Sequence, residues 1–271
     1  MKKEYVDYKS FGKCLSLSNG KTKLLITADF GPRVIFFGKD GGQNLFFEDA
    51  ENSINNAGWK IYGGHRLWKS PEDKSTYEPD NRPVAFTEHE HGVSVTAPVE
   101  TLTGLQKTIE IIFNGDSSVT VRHSIVNKGK TRITCALWAL TVLAPGGVLT
   151  VPLKTNDTGW LPNRNLVFWP YSNISDARFA LENDKFTLKQ DRSAVSAFKV
   201  GTRCAAGSAV YKNSNGTFKK SWAETADAEY PDFGCSFEAY TNNLMLESET
   251  LSPLYTLEPN QSASHTEIWQ A

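Results

Sequence analysis

The sequence predicts an all-β protein, and two observations carry that prediction. Turn signals recur roughly every 10 to 15 residues along the 271-residue chain, a density typical of a β-sandwich or barrel. Amphipathic helices of three or more turns are missing from the pattern. No internal repeat is visible, which disfavours a propeller, and no linker divides the chain, so we expect a single domain over residues 1–271.

Each strand is predicted from apolar and polar residues that alternate between two turn signals. The clearest case is 105–113, in which Leu105, Ile109, Ile111 and Phe113 share one face before a turn leads into a partner strand. The predicted strands, in chain order, are 23–28, 33–38, 105–113, 119–126, 132–143, 185–189, 206–212, 217–223, 235–241, 244–250 and 262–269.

Composition and charge exclude several classes of protein. A formal net charge of −1 gives no electrostatic reason to expect nucleic acid or an anionic membrane as a partner. No apolar run approaches the roughly 18 residues of a membrane span, and the N-terminus lacks the apolar segment of a signal peptide, so we expect a cytoplasmic protein unless a leader precedes this sequence. The oligomeric state is not indicated.

The spacing of the cysteines and the absence of the usual motifs indicate neither a disulfide framework nor a bound cofactor. The four cysteines are widely spaced without a Cys-x-x-Cys pair, which predicts reduced, mostly buried thiols: Cys14, Cys135, Cys204 and Cys235. A P-loop, a Gly-x-Ser-x-Gly motif and zinc-type Cys/His spacing are all absent, so we expect no cofactor and no metal.

Two long stretches, 49–83 and 155–176, interrupt the strand rhythm and are predicted to be loops. Their aromatic residues, Trp160 among them, argue against disorder, so both are candidate walls of a binding site. Aromatic residues make up 11% of the chain. They could fill a wide core between two sheets, or they could line a pocket for a polyhydroxylated ligand.

The first long loop contains several residues that could bind a ligand or transfer a proton. Paired glycines at 63–64 permit close approach of backbone to a ligand, and His65, Arg66 and Trp68 follow directly. This pattern is typical of a site for a sugar or a small anion. The alternative is a structural loop in which Arg66 pairs with acids, Trp68 packs in the core and His65 bonds to backbone.

The C-terminal stretch 244–250 places carboxylates on a predicted strand. Alternation puts Glu247 and Glu249 on one face, and in the strand 262–269 it puts His265, Glu267 and Trp269 on another shared face. Acids, an imidazole and an indole could therefore gather on one wall of a sheet. The alternative is a half-exposed strand whose glutamates face water. His123 is predicted to be a hydrogen-bonded core histidine.

These residues resemble the aldose 1-epimerases, or galactose mutarotases. The segment 243–269 is similar to the end of that family, and the closer likeness is to its less characterised bacterial members. Their motifs occur here as Gly-Gly-His-Arg-Leu-Trp, Pro-Asp-Asn-Arg-Pro, Leu-Trp-Ala-Leu-Thr, Trp-Pro-Tyr and Tyr-Pro-Asp-Phe-Gly. The resemblance covers nearly the whole chain. It implies a β-supersandwich of two large antiparallel sheets with a sugar site on the concave face.

The resemblance also implies roles. Glu247 falls on the family's catalytic base, which takes the C1 hydroxyl proton while an acid protonates the ring oxygen. Trp138 stands nearest the position of the family's histidine acid, and an indole is no such acid, so His65 is the candidate replacement.

Three hypotheses follow for a ligand that is a mono- or oligosaccharide. The first is an epimerase-like isomerase with Glu247 as base, His65 as acid and Arg66 orienting the sugar. The second is a non-catalytic sugar-binding protein. The third is a lyase or hydrolase that pairs Glu247 with Asp80 or Glu72. The candidate aromatic platforms are Trp68, Trp138 and Trp160, and the arginines that could hold a phosphate are Arg33, Arg66 and Arg82.

Overall fold

Two large antiparallel sheets make up most of the computed structural model, which describes residues 1–56, 58–115, 117–203 and 207–271. The strands of its first half are β1 (Lys2–Asp7), β2 (Lys13–Ser18), β3 (Thr22–Thr27), β4 (Arg33–Lys39), β5 (Asn55–Asn56), β6 (Trp59–Lys60), β7 (His65–Ser70), β8 (Ala85–His89), β9 (Gly92–Thr96), β10 (Leu105–Phe113), β11 (Ser118–Asn127) and β12 (Ile133–Leu143). Those of its second half are β13 (Val148–Pro152), β14 (Val167–Phe168), β15 (Phe179–Leu181), β16 (Lys185–Lys189), β17 (Phe198–Thr202), β18 (Ser208–Asn213), β19 (Gly216–Trp222), β20 (Phe237–Thr241), β21 (Leu246–Leu251), β22 (Tyr255–Leu257) and β23 (Ser262–Gln270).

Helical structure in the described residues is limited to three short turns, Lys9–Phe11, Lys74–Tyr77 and Pro231–Gly234. None of these turns has the length and apolar character that a membrane crossing requires. The first sheet has eleven strands in the order β1-β2-β3-β4-β7-β12-β21-β20-β17-β14, with β22 also paired to β12. The second has ten, in the order β15-β16-β13-β18-β19-β23-β11-β10-β9-β8. The all-β prediction is therefore confirmed.

Alternation divides each central strand of the first sheet between two apolar environments. Leu246 of β21 and Leu137 of β12 join the main core, together with Trp269 of the second sheet. Met245 and Leu251 belong instead to a second apolar cluster on the opposite face, with Trp138 of β12. The predicted alternation of 244–251 is confirmed, and the first sheet consequently buries side chains on both faces here.

The segment around the paired glycines is mostly strand, and its prediction as a loop was wrong. β7 begins directly after Gly64, is buried throughout and pairs with β12. The glycines do permit close approach, but to the protein's own backbone: a Cβ on Gly64 would lie 2.3 Å from the carbonyl oxygen of Val34. Polar residues on both faces of β7 hid its alternation, because their partners come from distant strands.

The described cysteines agree with the prediction. Cys14, Cys135 and Cys235 are free, buried thiols. Burial raises the pKa of Cys14 to about 12, which keeps its thiol protonated. Cys204 lies outside the described residues.

Candidate functional site

A cavity of about 370 Å³ lies on the face of the first sheet that is turned away from the second sheet. Strands β7, β12, β21, β20 and β17 are neighbours in the sheet and supply its floor. Its walls come from Ile54, Trp59 and Ile61 and from residues of the segments 72–77 and 169–171. Its aromatic lining residues are Trp59, Trp68, Tyr77, Trp138, Trp169, Tyr171 and Tyr240. An enclosure of this size, with aromatic walls and few polar groups, is typical of a small-molecule site.

Glu247 stands on the floor of this cavity. Its strand lies between β12 and β20, where Glu247 pairs with Val142 and Tyr240. Oε1 accepts a hydrogen bond from Nη2 of Arg66 at 3.1 Å, whereas Oε2 accepts none from the described residues. Burial raises the pKa of Glu247 above its ordinary value, although the Arg66 guanidinium opposes that shift. The carboxylate is thus fixed in orientation and keeps one oxygen for a ligand.

Arg66 is held by stacking as well as by its ion pair. Its guanidinium lies 4.3 Å from the centre of the Trp68 ring and 5.8 Å from that of Trp59. Nε and Nη1 are buried without a hydrogen-bond acceptor among the described residues. A buried donor without a partner is costly, so these two groups favour a ligand or a water that accepts hydrogen bonds.

A second charged group lies beside the first and was not predicted from the sequence. Lys199 approaches Oε2 of Glu238 at 2.6 Å and Oε2 of Glu249 at 3.0 Å, and Nε1 of Trp138 also donates to Glu249 at 2.8 Å. The ammonium lies 4.5 Å from the Trp138 ring centre and 4.6 Å from that of Trp169.

Burial alone would lower the pKa of Lys199, but the two carboxylates outweigh it and raise the pKa well above its ordinary value. Burial raises the pKa of Glu238 well above its ordinary value. The lysine and the two acids are thus held together by their opposite charges beneath the cavity.

Comparison with known proteins identifies the fold. No protein-family model and no curated protein matches the sequence. A galactose mutarotase-like protein from Lactobacillus casei superposes with a TM-score of 0.61 at 10% identity, over 95% of this chain and 99% of its own. A galactose mutarotase-like protein from Clostridium acetobutylicum superposes with a TM-score of 0.60 at 13% identity, over 100% of this chain and 99% of its own. The chain has the galactose mutarotase-like fold.

The same fold also occurs within a longer protein. A TPR-domain containing protein from Parabacteroides distasonis gives a TM-score of 0.67 at 16% identity. The match covers 95% of this chain but only 46% of that one, so this chain spans less than half of that relative's length. At these identities the comparisons establish architecture, and the chemistry of the site rests on its own residues.

The first sheet brings together some of the residues that the sequence indicated. Glu247, Arg66, Trp68 and Trp138 all line the large cavity, and Glu72 lies at its edge, where it accepts a hydrogen bond from the hydroxyl of Tyr77. The sequence placed Glu249 on the face of Glu247, and it placed Trp59, Trp169 and Tyr171 in the two stretches predicted as walls without assigning them a role; it gave no indication of Lys199, Glu238 or Tyr240. For Lys199 and Glu238 the local signal was a lysine inside the apolar strand β17, because such a position predicts a buried acid as its partner.

His65 does not reach the cavity, and its assignment as the acid was wrong. Consecutive strand residues face opposite sides of a sheet, so Arg66 faces the cavity while His65 faces the second sheet. His65 is fully buried there, with Nδ1 2.8 Å from the Thr141 hydroxyl and Nε2 2.7 Å from Nε2 of His123. Burial holds the pKa of His65 well below its ordinary value, so the ring is neutral.

Four other predicted binding residues also lie elsewhere. Arg33 is fully buried and donates to the carbonyl oxygens of Ile61 and Gly63 and to Oδ2 of Asp80, which fixes the backbone before β7. Arg82 donates to the carbonyl oxygen of Val99, and Trp160 is 102% exposed. Arg33, Asp80 and Arg82 therefore do not line the large cavity, and neither a phosphate site of three arginines nor an acid pair of Asp80 with Glu247 is formed.

The acids of the two C-terminal strands do not share a wall, so that expectation was also wrong. Glu267 and His265 face the space between the sheets, whereas Glu247 faces the cavity. Nζ of Lys220 lies 3.0 Å from Oε1 of Glu267, and Nε1 of Trp269 donates to Oε2 at 2.7 Å. His123 is buried and hydrogen-bonded to the carbonyl oxygen of His265, as predicted.

Ligand atoms of His65, His123 and Glu267 lie within 4.8 Å of one another, the spacing of a metal site. Each is already engaged: the two histidines bond to each other through Nε2, and Glu267 bonds to Lys220 and Trp269. The Lys220 ammonium beside the carboxylate opposes a second cation, so the present arrangement fits a hydrogen-bonded core better than a metal.

Proposed function

We propose that this chain, as one domain over residues 1–271, binds a sugar in the aromatic cavity and interconverts its anomers with Glu247 as the base. The observation that carries the proposal is the Glu247 carboxylate, which lines the cavity, is oriented through one oxygen by Arg66 and keeps the other oxygen free. The aromatic walls suit the apolar face of a pyranose ring, and the unpartnered donors of Arg66 suit its hydroxyl oxygens.

The reaction follows from the position of Glu247 on the floor of the cavity. Its free oxygen takes the C1 hydroxyl proton, the bond from C1 to the ring oxygen breaks, and the ring oxygen receives a proton from a lining donor, Lys199 or a tyrosine hydroxyl. The resulting aldehyde turns about its bond to C2, and the reverse steps close the ring on its other face. Burial raises the pKa of Glu247, which makes its carboxylate a stronger base than an exposed one.

A second candidate function is sugar binding without catalysis, and a specific observation favours it. No imidazole belongs to the described lining of the cavity, and the indole N–H of Trp138 is committed to Glu249. The remaining lining groups that carry a proton are Lys199, which is paired with Glu238 and Glu249, and the hydroxyls of Tyr171 and Tyr240.

Two measurements on one sample separate these functions. Binding is measured by calorimetry with glucose, galactose, mannose and xylose, and exchange between their anomers is measured by NMR. Saturable binding with accelerated exchange supports the isomerase, and saturable binding with exchange at the spontaneous rate supports the binding protein. Absence of binding for every aldose would contradict both.

A further inference from the structure

The turn Pro231–Gly234 displays an aromatic ring that neither local structure nor packing explains. Phe233 is 91% exposed, and its φ of 59° follows a φ of 52° at Asp232. Left-handed backbone is unfavourable for a residue with a Cβ, and a phenyl ring in water forgoes the gain of burial. Backbone outliers of this kind concentrate at functional sites.

Several hydrogen bonds fix the position of this ring relative to the first sheet. The amide nitrogen of Cys235 donates to the carbonyl oxygen of Pro231 at 2.8 Å, which closes the turn. Nδ2 of Asn165 donates to the carbonyl oxygen of Phe233 at 3.2 Å. The hydroxyl of Ser70, at the end of β7, donates to Asp232 at 3.1 Å. The exposed ring is therefore presented by a held turn.

Phe233 forms one side of a groove of about 480 Å³. The facing side is the segment 162–165, in which Arg164 donates to the carbonyl oxygens of Lys154 and Asn183. The groove thus combines an exposed aromatic face with amide and guanidinium groups. A sugar residue has the matching chemistry, because it offers an apolar C–H face and hydroxyls that both donate and accept hydrogen bonds.

The groove and the cavity lie along the same part of the first sheet. Arg203 lines the groove directly after β17, and Lys199 of that strand lines the cavity. Arg203 lies four positions after Lys199 along nearly extended chain, a distance of about 13 Å. A second connection is the segment 163–171, whose Asn165 lines the groove while Trp169 and Tyr171 line the cavity.

We propose that this groove is a second sugar subsite, so that the ligand of the chain is a reducing oligosaccharide. Its reducing-end residue occupies the cavity, and a residue further along occupies the groove against the ring of Phe233. The inference rests on the proposed function, because the cavity must itself take a sugar. Trp160, exposed on the loop that leads into the segment 162–165, lies outside the cavity for which the sequence indicated it.

The test compares a monosaccharide with its oligomers on the full chain. Affinities are measured by calorimetry for glucose, galactose, mannose and xylose, and for the reducing di-, tri- and tetrasaccharides built from each. The proteins are wild type, Phe233→Ala and the matched control Phe86→Ala, which changes a phenylalanine in the edge strand β8. Melting curves confirm that each variant is folded.

The expected result is a trisaccharide or tetrasaccharide that binds about tenfold tighter than its own reducing-end monosaccharide, as one added aromatic contact allows. Phe233→Ala should remove that gain and leave the monosaccharide affinity unchanged, whereas Phe86→Ala should change neither. Monosaccharide binding without any gain for oligomers, or a gain that persists in Phe233→Ala, would overturn the subsite alone. Failure of every sugar to bind would overturn the proposed function itself.

Discussion

Replacing His265 with glutamine should flatten the loss of stability that the protein shows in acid. His265 is buried between the sheets, and its Nε2 lies 2.8 Å from the hydroxyl of Thr250. Burial lowers the pKa of His265 from 6.5 to about 3, against the attraction of the Glu267 carboxylate. The folded protein therefore keeps this ring neutral at pH values where the unfolded chain protonates it.

The sign and size of the effect follow from proton linkage. Because the unfolded chain binds the extra proton, the contribution of His265 to stability is complete above pH 6.5 and is lost as the pH falls towards 3. Each pH unit inside that window costs about 1.4 kcal/mol, so the step from pH 6 to pH 4 costs about 2.5 kcal/mol. Between pH 6 and pH 4 the wild type should lose this free energy of unfolding in addition to the losses that other groups cause. The variant should show only those other losses.

The assay is urea unfolding followed by tryptophan fluorescence at pH 6, 5 and 4. His265→Gln keeps a donor for Thr250, and any constant change in its stability cancels when slopes against pH are compared. His91→Gln, at a histidine whose side chain is 70% exposed, is the matched control and should keep the wild-type slope. Equal slopes for wild type and His265→Gln would show that the folded protein does not hold His265 neutral in acid.

Three further predictions concern the charges and the strained turn. Lys199→Met should destabilise the fold by about 3 to 5 kcal/mol in urea unfolding, because Glu238 and Glu249 lose their buried cation, and adding Glu249→Gln should restore part of the loss. An unchanged midpoint would contradict the buried ion pairs. Phe233→Gly should raise stability by about 1 kcal/mol, because glycine relieves the positive φ, and a lower melting temperature would show that the ring packs against the protein. Trp138→Phe removes the N–H that donates to Glu249, so it should weaken sugar binding measured by calorimetry. Trp160→Phe, at an exposed position, should leave monosaccharide binding unchanged.

Much of the fold could be predicted from the sequence, because the patterns that indicate strands are local. Residues 105–113 and 185–189 were predicted as strands with the bounds that the structure has. The alternation of 244–251 also placed Glu247 on the face opposite Leu246, so the sequence predicted the side of the strand on which this carboxylate lies. Turn residues and period-two alternation act within a few residues, so a single sequence contains them.

The site was predicted less completely because it depends on which strands become neighbours. The row that joins Val142, Glu247, Tyr240 and Lys199 runs across four strands, of which only β20 and β21 are consecutive in the chain. Each member alone is a polar or apolar residue in an ordinary strand, and only the register makes them a group. Long-range pairing of this kind leaves no local signal in the sequence.

The mistake over His65 has a different origin. β7 carries polar residues on both faces, so it looks like a loop, and in a loop adjacent residues can act together. Once β7 is a strand, His65 and Arg66 must face opposite ways. Polar residues are tolerated on both faces because Glu247 satisfies Arg66 on one side while Thr141 and His123 satisfy His65 on the other.

Glu247 is proposed to act as the base on a sugar held in the aromatic cavity. The most direct test is NMR measurement of anomer exchange for an aldose that the protein binds, with wild type, Glu247→Gln and the matched exposed control Glu90→Gln. We expect wild type and Glu90→Gln to accelerate exchange, and Glu247→Gln to bind the sugar while leaving exchange at the spontaneous rate. Equal acceleration by Glu247→Gln and wild type, or no acceleration by wild type, would contradict the assignment.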